Sequence, residues 1–156
     1  MPSGGYPSTV AECLSDRARF RRGVVPAVRE FRRAGPWRGT LEEREAKFRR
    51  LNEALARAYG MPAPELRFEG IPSRGSGSFS GASSCRRGGD GSPAVITMRG
   101  RLSVVTYLHE FAHALRRDER GACRWSINLF RRVFPEQYAR LRADGHTLRT
   151  TNTRRR

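Results

Sequence analysis

The chain has 156 residues, 37% of them hydrophobic and 9% aromatic, which suits one compact domain with a single core. No run approaches the roughly 20 apolar residues of a membrane span, and residues 1–21 lack the apolar stretch of a signal peptide, so we expect a cytosolic protein with no membrane partner. Lys47 is the only lysine among 31 basic residues, so 30 are arginine, and a formal net charge of +16 attracts polyanions.

The first part of the chain predicts one secure helix. Residues 1–9 are rich in Gly, Pro and Ser and predict a disordered N-terminus, so the domain is expected to span residues 10–143. Weak helices are predicted over residues 10–22 and 27–33, with Pro26 as a break between them. The secure helix follows a capping box formed by Thr40 and Glu43. Its apolar residues recur at helical spacing until a glycine ends the pattern: Phe48, Leu51, Leu55 and Ala58.

The middle of the chain changes to the periodicity of strands. Residues 65–71 alternate, residues 77–83 form a Gly/Ser-rich candidate strand, and residues 94–98 form a short apolar one. Residues 85–92 are typical of a hairpin loop. These elements predict an α+β fold in which a small, mainly antiparallel sheet packs on the following helix, with further helices flanking both.

The helix after these strands carries the candidate active site, because it contains His109, Glu110 and His113 in the order H-E-x-x-H. Histidines four residues apart lie one above the other on a helix, so both can bind one metal ion. A zinc ion with three protein ligands keeps a fourth position for water and lowers the pKa of that water to roughly 7. Glu110 can then accept a proton from this water. The motif predicts a Zn²⁺ peptidase acting on proteins or peptides, and a helix with incidental histidines is the alternative.

The chain after the motif predicts two more helices and a tail. The apolar pattern lapses at residues 116–118 and resumes around Trp125, which predicts a second long helix capped by Asp118 and packed on the motif helix. A short helix is predicted over residues 135–141. Residues 144–156 are predicted to form a flexible basic tail.

The sequence offers three candidates for the third metal ligand. Glu119 follows His113 by six residues and can reach the metal if the chain leaves the motif helix before it. Glu136 would need the second long helix to return towards the first. His146 lies in the predicted tail. We place Glu119 first, with Glu136 and His146 as the alternatives.

The segment HEFAHALRRDE, from His109 to Glu119, resembles the metzincin pattern H-E-x-x-H-x-x-G-x-x-H, with Glu119 at the third-ligand position. Arg116 stands where that pattern has its turn-making glycine, and arginine tolerates a positive φ poorly. The helix that starts at Glu119 is similar to the E-x-E-A-N-x-F-A-x-x-L helix of ImmA/IrrE-type proteins, whose glutamate binds metal. The order of helix, strands and motif helix is similar to that of SprT-like proteins, which act on DNA-bound proteins. These resemblances imply a zincin-like metallopeptidase domain.

Two other functions are compatible with the sequence. The arginines can bind phosphate in a nucleic-acid-associated protein whose metal site is structural or vestigial, although a GC-rich genome would also explain their number. A protein-binding scaffold on an inactive zincin fold is the third possibility.

The three cysteines, Cys13, Cys85 and Cys123, are isolated and lack C-x-x-C spacing, so they predict reduced thiols and no thiolate zinc site.

Overall fold

A computed structural model describes residues 10–71, 83–89, 91–144 and 147–150. The fold is α+β, as predicted. Along these residues the helices are α1 (Val10–Cys13), α2 (Val24–Ala34), α3 (Leu41–Tyr59), α4 (Val104–Ala114), α5 (Glu119–Val133) and α6 (Pro135–Ala139). The strands are β1 (Glu65–Glu69), β2 (Ser84–Arg86), β3 (Val95–Arg99), β4 (Leu141–Asp144) and β5 (Thr147–Thr150). Residues 1–9, His146 and all but the last residue of the candidate strand at 77–83 lie outside the described residues.

The helix α3 begins and ends where the sequence predicts. Thr40 Oγ1 accepts the Glu43 N–H at 3.1 Å and Glu43 Oε1 accepts the Thr40 N–H at 2.8 Å, which closes the capping box. Gly60 ends the helix at a φ of 64°, a left-handed conformation that glycine adopts without strain. No helix in the described part of the chain is both long and apolar enough to cross a bilayer.

The first two helices differ from their predicted bounds. α1 ends at Cys13, well before the predicted residue 22. The chain beyond it is held by Asn128, whose Nδ2 donates to Cys13 O and whose Oδ1 accepts the Ser15 N–H, both at 2.9 Å. α2 begins at Val24 and includes Pro26, the predicted break. Proline costs little in a first turn, because the first N–H groups of a helix have no helical partner.

The three-stranded sheet is mixed, which corrects the prediction of a mainly antiparallel one. Its order is β1-β3-β2, with β1 parallel to β3 over five residue pairs and β2 antiparallel to β3 over three. β2 runs in the opposite direction to β1 and is separated from it by a gap of one strand. β3 reverses direction again and fills this gap, so it runs parallel to β1. The predicted hairpin loop at 85–92 therefore begins inside β2.

A two-stranded sheet lies near the C-terminal end of the described chain. β4 and β5 pair antiparallel, with Leu141 opposite Thr150 and Asp144 opposite Thr147. The paired backbone extends past residue 143, the predicted end of the domain, into the predicted tail. Leu141 and Ala143 alternate with polar residues in β4, but each strand has only four residues, the minimum length for that signal.

The core fixes α4 between its neighbours. Phe111 of α4 stacks on Trp125 of α5 with ring centroids 6.0 Å apart, and Phe48 of α3 meets Tyr107 of α4 edge-on at 5.7 Å. Trp125 is only 5% exposed, which confirms its predicted packing on the motif helix. The buried Tyr107 hydroxyl donates to Asn52 Oδ1 at 2.7 Å. These contacts position the motif that α4 carries.

Candidate metal centre

The helix α4 presents the H-E-x-x-H residues in two different environments. Ser103 caps the helix by accepting the Thr106 N–H through Oγ at 3.2 Å. The side chains of His109 and His113 are 20% and 24% exposed, so both imidazoles reach solvent. Glu110 is buried at 8% exposure. The helix therefore directs two potential ligands outward and keeps a carboxyl group in a largely dry environment.

Arg116 makes the turn that ends α4. Its N–H donates to His113 O at 2.8 Å, and the Arg117 N–H donates to Ala112 O at 3.1 Å. This pair of bonds is a Schellman motif, which places the residue after the C-cap in the left-handed region. Arg116 occupies that position with a φ of 70°, the one positive φ of a non-glycine residue in the described chain. The predicted break at 116–118 is confirmed, and arginine adopts the φ that suits glycine.

We expect the R116G variant to be about 1 kcal/mol more stable than R116A. Both variants lose the same side chain, but only glycine avoids the left-handed Cβ clash of about 1–2 kcal/mol. The greater freedom of glycine in the unfolded chain offsets about 0.5–1 kcal/mol of that gain. Urea denaturation of the two metal-free variants measures the difference. Equal unfolding midpoints would show that the turn is not strained.

The turn brings Glu119 to both histidines. Asp118 caps α5, as predicted, by accepting the Gly121 N–H through Oδ1 at 2.8 Å. Glu119 Oε1 then lies 2.9 Å from His113 Nε2, and its Oε2 lies 3.1 Å from His109 Nε2. The two Nε2 atoms are 3.2 Å apart. Two imidazoles and one carboxylate therefore converge on one point.

The hydrogen bonds of His113 require a proton or a metal ion between its Nε2 atom and Glu119. His113 Nδ1 lies 2.9 Å from the Arg117 carbonyl oxygen, which can only accept, so Nδ1 carries a proton. In a neutral imidazole Nε2 then has a lone pair, and this lone pair faces a carboxylate oxygen of Glu119 at 2.9 Å. Two acceptors at that distance repel each other unless a proton or a metal ion lies between them. An imidazolium and a bound metal ion both satisfy the arrangement.

The spacing of the three donor groups fits zinc. Bonds of about 2.0–2.1 Å in a tetrahedral site separate the ligand atoms by about 3.3 Å. The two Nε2 atoms are 3.2 Å apart, close to this spacing. Glu119 approaches His113 Nε2 through Oε1 at 2.9 Å and His109 Nε2 through Oε2 at 3.1 Å, so its carboxylate would turn to offer one oxygen to the ion. Two histidines and a glutamate form a donor set of catalytic zinc sites, in which one position stays open to water. The bond from His113 Nδ1–H to the Arg117 carbonyl orients the ring in the way usual for metal-binding histidines.

Cys123 is a neighbour of the site that the sequence did not single out as a ligand. Its Sγ lies 4.0 Å from His109 Nδ1, and possible ligand atoms of His109, Glu119 and Cys123 lie within 4.8 Å of one another. The thiol faces the ring nitrogen opposite Nε2, so it lies away from the point shared with His113. The shorter Nε2 distances favour the set of two histidines and Glu119. The sequence could have indicated this proximity, because residues four apart, such as Glu119 and Cys123, lie on one face of a helix.

Comparison with known proteins assigns the chain to no family. No protein-family model, curated protein or solved structure matches it. The interpretation of the site therefore rests on its own geometry, and the similarity of HEFAHALRRDE to zincin motifs stays a resemblance.

The alternative third ligands do not join this cluster. Glu136 lies exposed in α6 and makes no hydrogen bond or ion pair with His109 or His113 among the described residues. His146 lies outside the described residues. Of the three candidates, Glu119 is the one that the structure brings to both histidines.

Burial gives Glu110 proton-transfer properties suited to neutral pH. It raises the pKa of the Glu110 carboxyl to about 7, while His113 lowers this pKa and Glu119 raises it to smaller extents. A carboxyl group with a pKa near 7 can both take and return a proton at neutral pH. Burial lowers the pKa of His109, against an opposing effect of Glu119. His109 is thereby favoured in the neutral form that binds metals.

We expect the metal-free protein to lose stability as the pH rises. The pKa of Glu110 is about 7 in the folded state against 4.5 for an ordinary glutamate, so between these values the folded state binds more protons than the unfolded state. The free energy of unfolding should fall by up to about 3 kcal/mol from about pH 4.5 to pH 8. Urea denaturation with a chelator present measures this fall, and the E110Q variant should lack it. The same pH dependence in both proteins would contradict the assignment to Glu110.

Proposed function

We propose that the protein is a zinc-dependent peptidase with a zincin-like fold. The observation that supports this most is the convergence of two histidine Nε2 atoms and the Glu119 carboxylate on one point, next to a buried Glu110. A protonated His113 and a neutral His109 that donates through Nε2–H would account for the same contacts, so metal binding is the measurement that separates the two arrangements. His109, His113 and Glu119 would hold Zn²⁺, which supplies Lewis acidity towards a carbonyl oxygen and a water molecule.

Glu110 has the position and the pKa for proton transfer. Next to His109 on α4, it accepts a proton from the attacking water as the water oxygen bonds to the scissile carbonyl carbon. It then gives this proton to the leaving nitrogen as the C–N bond breaks, which regenerates the carboxylate. A pKa raised to about 7 by burial keeps both transfers feasible near neutral pH.

A cavity of about 450 Å³ at the C-terminal end of α4 offers room for substrate. Its lining includes Ala114, one helical turn after Glu110, and Arg87 in the segment that follows β2. β2 packs against α4. Burial and, to a smaller extent, the Glu110 carboxylate raise the pKa of the Cys85 thiol on β2 to about 11. Among the described strands β2 is an outer one. An outer strand offers unpaired backbone groups to an extended peptide, so the substrate would be a polypeptide lying along β2.

Metal analysis and peptide hydrolysis test this proposal together. We expect the purified protein to hold about one zinc ion per chain and to hydrolyse casein, with a chelator abolishing and added zinc restoring the activity. The double variant H109A/H113A should hold no zinc. A wild-type chain that takes up no zinc, or a double variant that keeps it, would overturn the proposal.

A further inference from the structure

A second surface lies at the opposite end of α4 from the candidate metal centre. It surrounds a cavity of about 430 Å³ beside Ser103, about 15 Å along the helix from His113 at 1.5 Å per residue. We call it the Trp37 surface and define it by five lining residues: Trp37, Arg44, Arg101, Gln137 and Arg140. None of the residues that line this cavity is acidic.

Trp37 is a rigid, open aromatic face on this surface. It is 44% exposed and is the one large apolar side chain left exposed among the described residues. Its ring meets Phe134 edge-on, with centroids 5.4 Å apart and planes at 74°, which fixes the orientation of the indole. Lys47 Nζ donates to Gly35 O at 2.8 Å and to Arg38 O at 2.9 Å, so the loop carrying Trp37 is held on both sides. The indole therefore needs little ordering to receive a flat ligand.

Three of the polar groups around Trp37 lack partners among the described residues. Arg101 and Arg140 are exposed, and their guanidinium groups make no ion pair or hydrogen bond with the described residues. Gln137 Oε1 is buried and has no hydrogen-bond partner in the described part of the chain. A buried acceptor without a donor is rare in native proteins. That oxygen is closed to solvent, so the groups open to a ligand are the indole and the two guanidinium groups, and they fit a negatively charged molecule with a flat ring.

We propose that the Trp37 surface binds single-stranded nucleic acid. A base stacks on the indole of Trp37, and the flanking phosphates pair with Arg101 and Arg140. Duplexes are disfavoured because their bases are already stacked on one another and cannot reach a flat side chain. The inference does not depend on the proposed peptidase activity, because the surface shares no residue with the candidate metal centre.

Fluorescence anisotropy with a labelled deoxycytidine strand of about ten nucleotides tests the proposal. We expect the wild type to bind this strand more tightly than a duplex of equal length. W37A should weaken binding by about 5- to 150-fold, the effect of one lost stacking contact, while W37F should largely retain it. The double variant R101A/R140A should reduce the salt dependence of binding. The double variant R50A/R57A, which removes two exposed arginines from the middle and the far end of α3, is the charge-matched control and should change little.

An abasic strand of the same length separates stacking from charge, because it keeps the phosphates and lacks the bases. W37A should leave binding of the abasic strand unchanged, and circular dichroism of W37A and W37F checks that both are folded. Equal wild-type affinity for abasic and normal strands, or equal loss on both strands in W37A, would overturn the proposal. Absence of binding at low salt would also overturn it, leaving the Trp37 surface to a protein partner.

Discussion

The E110Q variant is expected to keep its zinc and to lose kcat by about 10²- to 10⁴-fold, the usual contribution of a general base. Glutamine has the size of glutamate but cannot accept a proton, so the proposed transfer from water to the leaving amine stops. The proposed ligands His109, His113 and Glu119 are untouched. Because Glu110 is only 8% exposed, this near-isosteric change disturbs its surroundings least. Hydrolysis of a quenched fluorescent peptide and metal content per chain are measured on the same preparation.

E53Q is the matched control, because Glu53 is exposed on α3 and the change removes the same charge. It should have wild-type kcat and zinc content. Wild-type kcat in E110Q would remove Glu110 from the reaction. Loss of zinc in E110Q would make this residue a support for the metal ligands and would leave the proposed base without experimental basis.

The sequence located those parts of the candidate site that depend on local geometry. The positions of His109, Glu110 and His113 relative to one another follow from helical periodicity alone. The placement of Glu119 depends on a turn in which Arg116 has a φ of 70°. Arginine gives no signal for that conformation, so the sequence predicted an interruption but left three candidate ligands open. The approach of Cys123 to the same site depends on how α5 packs against α4, which is a tertiary property.

In the fold, too, the features that depend on local sequence could be predicted and those that depend on tertiary contacts could not. The capping box at Thr40 and the glycine after α3 are local signals, and both bounds of that helix are confirmed. The early end of α1 depends on Asn128, which bonds to Ser15 across 113 positions. Whether β1 pairs with β3, in parallel, or with β2, antiparallel, depends on the place of β2 in the sheet, so strand alternation could not define it. The Trp37 surface combines side chains from distant segments and had no signal in the order of the residues.

The two proposed surfaces can be separated by experiment because they lie at opposite ends of α4. The H109A/H113A variant should lose zinc and hydrolysis yet bind the single strand with wild-type affinity. W37F should bind the strand and hydrolyse peptide. A metal-free protein that also loses strand binding would show that the metal organises the whole domain, since structural zinc contributes directly to folding.

Zinc affinity is expected to fall by at least about 100-fold in E119Q and to stay unchanged in E136Q. Changing a residue that only supports a metal ligand already costs about 10- to 100-fold, and replacing the carboxylate of a ligand by a neutral amide should cost more. Glu136 is the matched control, because it is also an exposed glutamate and is the alternative third ligand. Competition with a chromophoric chelator measures both affinities at one pH, as zinc binding requires neutral histidines.

If E119Q binds zinc with wild-type affinity, the contacts of Glu119 with the histidines are only ion pairs, and Glu136 or His146 becomes the expected third ligand.

Cobalt substitution adds a direct test of the donor set. A site of two histidines and a carboxylate should lack the near-ultraviolet band of a thiolate bound to cobalt. Such a band, present in the wild type and lost in C123S, would instead place Cys123 on the metal. The metal would then lie between Cys123 Sγ and His109 Nδ1, which are 4.0 Å apart in the structure.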